Sequence, residues 1–288
     1  MAIQPDFLDE LARFDAALKK EVNSIFQGEQ ESKELGEGLT FSDYRNYTPG
    51  DDTRLIDWRV YARTEELYIK QFEEERNLTI HVLIDASRSM DFGEGDDNKF
   101  EYAAKIGLGF AYLAADENND FRVSVFGDGF KRLDTGGSNR GEILRLIDLL
   151  NEEGEDLEGE TDFRKSFEEY ESTIGSKSLV LVASDFLGDT DGIAEGLSAL
   201  AKHDVTLAHV IAPDERELPA RGDTIFEALE SDTSLRTYFS NRLKTTYQNR
   251  LENHISSIDE ISDEVLARHV VVNTGDDFFD SFAKTWVE

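Results

Sequence analysis

Residues 78–92 read LTIHVLIDASRSMDF. An apolar run ends at Asp85, and Ser87 and Ser89 follow at alternate positions. The run is short, rich in β-branched residues and apolar almost throughout. That is the pattern of a strand buried on both faces, as in a parallel sheet covered by helices. In an open α/β sheet, ligands sit beyond the carboxyl ends of the strands. The i, i+2, i+4 spacing in a turning loop aims three hard oxygen donors at one region, and a divalent cation such as Mg²⁺ prefers oxygen ligands of this kind. Read alone, the stretch is most simply an ordinary capping turn.

The rest of the chain supports the sheet. After LTIHVLID come a helical pattern (NKFEYAAKIGLGFAYLAADE), a strand (FRVSVFG) and a short return strand (FKRL). Two helical patterns follow (RGEILRLIDLLNEE and DFRKSFEEYESTI). SLVLVASD is a second apolar strand, DGIAEGLSALAKH a helix and VTLAHVIA a third apolar strand. Beyond Pro213 the spacing predicts an acidic connector and one long helix, SLRTYFSNRLKTTYQNRLENHISSI. A last strand (RHVVVN) and a terminal helix (DDFFDSFAKTWV) complete the chain. Strands alternating with amphipathic helices predict a Rossmann-like, three-layer α/β fold with a mostly parallel central sheet.

The first 76 residues read differently. Phe7, Leu8, Leu11, Phe14, Ala17, Leu18, Val22 and Ile25 recur at helical spacing, and a Gly- and Glu-rich link follows. From Phe41 to Lys70 there are six acidic and five basic residues. The expected organisation is an N-terminal extension over 1–76 and an α/β domain over 77–288. Trp58 is expected as a core or inter-segment anchor. Arg45, Arg54, Arg59 and Arg63 are expected chiefly to bridge acids, with a docking surface as the alternative.

Composition excludes several functions. Thirty Lys and Arg against 62 Asp and Glu give a formal net charge of −32. Nucleic acid and anionic membrane are therefore disfavoured partners. Acidic excess with only 12 lysines predicts a protein of a high-salt cytoplasm, where salt screens self-repulsion. There is no cysteine, so disulfides and thiolate metal sites are absent. No apolar run approaches the roughly 18 residues of a membrane span, and a cytoplasmic location is expected. No phosphate loop of the G-x-x-x-x-G-K-[ST] type occurs. The five histidines have no metal-ligand spacing, and neither histidine nor lysine is evident near the candidate site as a general base. His81 reads as a packed strand residue, and the acidic loop Asp91, Glu94, Asp96 and Asp97 as a solvated one.

Two more oxygen donors belong with the Asp-Ser-Ser loop. Thr161 lies in EGETDF, a glycine-bearing turn before a predicted helix, where on its own it reads as an N-cap. Asp185 ends the strand LVLVASDF. DASRS, then Thr161, then Asp185, in that order within such a fold, resembles the von Willebrand factor A domain over Leu78–Ala212. The resemblance implies a metal-ion-dependent adhesion site. Ser87 and Ser89 would bind the metal directly, Thr161 directly or through water, and Asp85 and Asp185 mostly through water. The implied cofactor is Mg²⁺, or Mn²⁺ or Ca²⁺, and the implied ligand is a carboxylate of a protein partner.

A narrower resemblance covers more of the chain. Arg45, Tyr47, Pro49, Gly50, Asp51, Asp52, Arg54, Ile56, Asp57, Trp58, Ala62 and Arg63, ahead of the Asp-Ser-Ser loop, are similar to the signature of the domain-of-unknown-function 58 (DUF58) family. That implies partnership with a MoxR-type AAA+ ATPase in a chaperone-like or maturation role, and many relatives carry transmembrane segments that this sequence lacks. The function expected is non-enzymatic, metal-dependent protein binding. The alternative is a metal-dependent phosphoesterase at the same site. An aspartyl-phosphate phosphatase is disfavoured because position 87 is serine where D-x-D-x-T has its second carboxylate.

Overall fold

In a computed structural model, the structure describes residues 2–25, 39–48, 56–64, 66–74, 78–93, 95–217, 222–227, 234–239 and 241–287. Two compact units emerge, one of residues 1–20 with 78–288 and the other of 21–77. The first twenty residues group with the α/β unit.

The α/β unit is built on a six-stranded sheet. Its strands are β3 (Thr79–Asp85), β4 (Asp120–Gly127), β5 (Gly129–Arg132), β6 (Leu179–Ser184), β7 (Asp204–Ile211) and β10 (Arg268–Asn273), in the order β10-β7-β6-β3-β4-β5. Every neighbouring pair is parallel except β4–β5. Alternation sorts the strand side chains between two cores. Ile80, Val82 and Ile84 of β3 face the helices α3 (Lys99–Asp116), α4 (Arg140–Glu153) and α9 (Phe278–Val287). Leu83 faces the other way, with Val180, Val182 and Leu207, toward α5 (Phe163–Glu171), α6 (Thr190–Leu200) and α8 (Asn241–Glu264). Successive strand residues point to opposite faces, so a strand buried on both must be apolar at nearly every position.

The N-terminal helix α1 (Phe7–Ile25) adds Leu8 and Leu11, both fully buried, to the α3/α9 side. Its Phe7 meets Phe278 edge-on at 5.3 Å, and Phe14 stacks on Phe279 at 5.1 Å. Just before the helix, Ile3 exchanges hydrogen bonds with the Asn151 amide at 2.8 and 3.0 Å.

Chain order reverses between β3 and β6. From β3 the chain runs outward through β4 to β5, then crosses to β6 on the other side of β3. Neighbouring strands whose connections leave in opposite directions open a crevice at their carboxyl ends. Asp85 ends β3, and Asp185 directly follows β6.

Two expectations are corrected. The long helix from Ser234 does not form: Ser234–Phe239 is strand β9, antiparallel to β8 (Gly222–Glu227), and α8 starts at Asn241. SLRTYF carries the strand-favouring Thr237, Tyr238 and Phe239, and that local preference is lost when it is read within a longer window. In the second unit, β1 (Leu39–Asn46) pairs antiparallel with β2 (Tyr68–Glu74), and α2 (Trp58–Thr64) lies between them in sequence. Trp58 is 61% exposed with its ring edge-on to Tyr61, so it is no core anchor. Arg45 lies in β1 opposite Ile69, Arg59 and Arg63 lie in α2, and the Arg63 side chain is exposed. Arg54 lies outside the described residues, as do Pro49 to Asp52.

Candidate metal centre at the β3–β6 crevice

The crevice gathers Asp85, Ser87, Ser89, Thr161 and Asp185. Asp85 is almost wholly buried and is the hub. Its Oδ1 accepts from the Ser87 backbone N–H at 2.9 Å and from the Thr161 hydroxyl at 2.9 Å. Its Oδ2 accepts from the Ser184 hydroxyl at 2.6 Å. Ser184 was not anticipated; its only trace in the sequence is a hydroxyl next to Asp185 at the end of an apolar strand.

Ser87 precedes a single 3₁₀ turn, Arg88–Met90, and makes no side-chain capping bond to it. Its hydroxyl lies instead 3.1 Å from that of Ser89. Thr161 is likewise not a cap: Asp162 caps α5 by accepting from Lys165 N at 2.9 Å. The turn that delivers Thr161 includes Gly159 at φ +77°, a left-handed conformation that glycine adopts without strain. The Gly159 carbonyl accepts from Arg88 N at 3.1 Å, tying the two loops together. Met90 is fully buried in the core that β3 shares with α3.

Asp185 has a different neighbour. Its Oδ1 accepts from Leu187 N at 3.0 Å, and its Oδ2 accepts from Lys99 Nζ at 2.7 Å. Lys99 has no exposed surface and reaches Glu215 Oε1, also at 2.7 Å. This corrects the expectation that no lysine lies near the site. Lys99 opens α3, distant in sequence from both loops, and only the fold brings it to Asp185. Phe186, next in the chain, has φ +49°, and its N–H donates to the Ser184 hydroxyl at 2.8 Å.

Burial, and after it the Asp185 charge, pushes the Asp85 carboxyl up to about 6, against the pull of its Ser184 and Ser87 donors. For Lys99, burial works against the charged form. Asp185 and then Glu215 outweigh it and raise the ammonium above the ordinary lysine value.

The donor chemistry fits a hard divalent cation. Adjacent ligands of an octahedral Mg²⁺ at about 2.1 Å stand roughly 3 Å apart. The Ser87 and Ser89 hydroxyls have that separation. Thr161 commits its proton to Asp85, which leaves its lone pairs free. Among the described residues no group of three or more His, Cys, Asp or Glu is arranged for a metal, so a cation here would rest on hydroxyl oxygens. Outside the ring, a cavity of about 650 Å³ is lined by Thr161, Asp128, Glu158, Glu160, Asp162 and Asp189, among others.

The histidines are less dispersed than their spacing implies. His209 Nδ1 lies 3.0 Å from His269 Nε2, whose Nδ1 lies 3.0 Å from Asp259. His81 is packed as expected, with Nδ1 2.9 Å from the Tyr170 hydroxyl.

The family model described as Protein of unknown function DUF58 matches residues 43–256. Uncharacterized protein Rv1480 of Mycobacterium tuberculosis is 25% identical over 230 residues, which span 79% of this chain and 72% of that protein. Uncharacterized protein YeaD of Bacillus subtilis is 40% identical over 50 residues, 17% of this chain and 13% of that one. The crystal structure of conserved hypothetical protein BatB from Bacteroides thetaiotaomicron superposes with a TM-score of 0.50. It is 14% identical and covers 72% of this chain and 96% of that one. The fold is von Willebrand factor A-like. No helix among the described residues is long and apolar enough to cross a membrane.

Proposed function

We propose a function on the premise that this chain belongs to the DUF58 family of proteins of unknown function. It is a non-enzymatic binding domain that grips a protein partner through a divalent cation. Ser87, Ser89 and Thr161 hold the cation, and Asp85 and Asp185 stand behind them. The observation that carries this reading is that one buried carboxylate, Asp85, ties together the two loops that bear the Ser87, Ser89 and Thr161 hydroxyls, through the Ser87 backbone N–H and the Thr161 hydroxyl. A self-contained capping turn would direct the serine hydroxyls at backbone N–H groups, and Ser87 makes no such bond.

Mg²⁺ is the proposed cation, with Mn²⁺ or Ca²⁺ as substitutes; when bound it supplies a positive charge that attracts an anionic oxygen. Asp85 orients the Thr161 hydroxyl by accepting from it and fixes the serine loop by accepting from the Ser87 backbone N–H. Ser184 holds the opposite Asp85 oxygen in place. The partner supplies a carboxylate. A MoxR-type AAA+ ATPase, acting with this chain in a chaperone-like or maturation role, is the partner implied by the family resemblance. Lys99 is buried and paired with two acids, so it is poorly placed to serve as a hydrolytic base.

Pull-down from extract of the source organism tests the reading, with Mg²⁺, with EDTA and with Asp85→Ala. A AAA+ ATPase retained only with Mg²⁺ and intact Asp85 is the expected result. Equal retention in all three lanes would remove the metal from the interaction. Mg²⁺-dependent turnover of para-nitrophenyl phosphate would overturn the non-enzymatic reading.

A further inference from the structure

Lys99 breaks two rules of placement at once. Lysine is among the residues least often fully buried, and this one has no exposed surface. It also opens helix α3, where the helix dipole disfavours a cation. Its partners explain how it is tolerated. Asp185 and Glu215 each present one oxygen to Nζ at 2.7 Å. Each gives its other oxygen to a backbone N–H, that of Leu187 and that of Ala212, both at 3.0 Å. The face of Phe92 lies 5.5 Å from Nζ. The lysine is held from three directions, and its nearest neighbour in the crevice is Asp185.

We propose that Lys99 sets the charge of the metal centre: by neutralising Asp185 it loosens the hold on a divalent cation and leaves the bound cation positive toward an anionic ligand. This rests on the metal-binding reading above. With both aspartates ionised and no lysine, a divalent cation would be formally neutralised, two charges against two. Counting the cation, Asp85, Asp185 and Lys99, one positive charge remains for an incoming carboxylate, and Glu215, drawing on the same ammonium at 2.7 Å, takes back part of it. Buried charges interact far more strongly than solvated ones, so the difference is felt. Glu215 gives Lys99 a second seat. The ammonium is shared between the two acids, and the second belongs to α7 (Pro213–Glu217), beyond the neighbouring strand β7.

The test compares wild type, Lys99→Met and Glu215→Gln, each stripped with EDTA and shown to be folded by circular dichroism. Each is titrated with MnCl₂ by calorimetry at constant ionic strength, and the Mn²⁺-loaded proteins are then titrated with acetate. Lys99→Met is expected to bind Mn²⁺ at least tenfold more tightly and acetate more weakly, so the two affinities move in opposite directions. Glu215→Gln leaves Lys99 wholly to Asp185, and its Mn²⁺ affinity is expected to fall severalfold. A merely structural lysine would not produce that opposition. Mn²⁺ affinity unchanged or weaker in folded Lys99→Met overturns the inference. Should that variant fail to fold, Glu215→Gln decides, and unchanged Mn²⁺ affinity there overturns it. A wild type that takes up no Mn²⁺ overturns the metal reading and this inference together, whereas equal binding by all three proteins overturns this inference alone.

Discussion

The Thr161 hydroxyl donates to Asp85 Oδ1 at 2.9 Å across 76 positions of chain, and this bond joins the turn before α5 to the end of β3. It fixes where the third hydroxyl of the crevice points. Thr161→Val preserves the shape and removes the donor. The variant is expected to lose about 1–2 kcal/mol, as for a partly buried hydrogen bond to a charged group. It is also expected to lose the rise in melting temperature that the metal-binding proposal predicts for wild type on adding Mg²⁺ at constant ionic strength. Thr161→Ser should keep that rise. Differential scanning calorimetry with and without Mg²⁺ reads both effects, and an undiminished Mg²⁺ response in the valine variant would remove Thr161 from the site.

Acid should destabilise the protein well before its carboxylates as a class are protonated. Burial, and then the Arg122 charge, holds His81 down at about 4 from 6.5. Burial, and then His269, holds His209 at about 3. Both are neutral in the fold, and the unfolded chain takes up their protons first. Their contribution is therefore fully present above about pH 6.5 and is lost as the pH falls toward 4 and then 3. Asp85 acts in the opposite sense. Its carboxyl is raised to about 6, so protonation in the fold offsets part of the loss as the pH drops through that value. With two histidines against one aspartate, the net slope favours unfolding. Urea midpoints at pH 7, 5.5 and 4 should fall in that order. His81→Gln should flatten the fall, and an equally steep fall in that variant would show that His81 does not contribute to it.

How far the crevice could be read in advance depends on distance along the chain. Asp85, Ser87 and Ser89 are legible because four residues of loop bring them together, and the preceding run LTIHVLID announces a doubly buried strand. Thr161 and Asp185 are legible only through their order and their positions at turn and strand end. Ser184 and Lys99 are not. Ser184 points at Asp85 because β6 lies beside β3, a pairing that alternation alone does not specify. Lys99 looks like any basic residue at the start of an amphipathic helix. Its burial and both its carboxylates are products of tertiary packing. Local period carries the strands well and fails where two elements adjoin without a breaker. SLRTYF runs into α8 for that reason.

Salt should stabilise this chain more than an ordinary domain. Sixty-two acidic against 30 basic residues give a net charge of −32, and the mutual repulsion of the excess acids weakens as the screening length shortens. That length falls from about 10 Å at 0.1 M to about 3 Å at 1 M. The melting temperature is expected to climb steadily in KCl across this range, with NaCl following it closely. A flat profile would mean that the acidic excess is already compensated in the folded state.

The glycines of α3 and α6 mark where helices approach too closely for a side chain. A Cβ on Gly109 would stand 2.5 Å from the Phe282 ring, and one on Gly196 2.7 Å from the Phe163 carbonyl oxygen. The two contacts differ in what can give way. Phe282, carried by the C-terminal helix α9, is fully buried against α3, with its ring 5.8 Å from that of Phe110. It can shift only by moving α9. The Phe163 carbonyl belongs to the first turn of α5, directly after the Thr161 loop. Gly109→Ala is expected to cost about 1–3 kcal/mol by overpacking and to loosen α9 without touching the crevice. Gly196→Ala should cost a similar amount and also displace the start of α5, weakening Mg²⁺ stabilisation through Thr161. Melting curves with and without Mg²⁺ separate the two. Both variants should melt lower, and only Gly196→Ala should show a reduced Mg²⁺ response. The same reduction in Gly109→Ala would mean that the crevice is coupled to the α3/α9 side of the sheet as well.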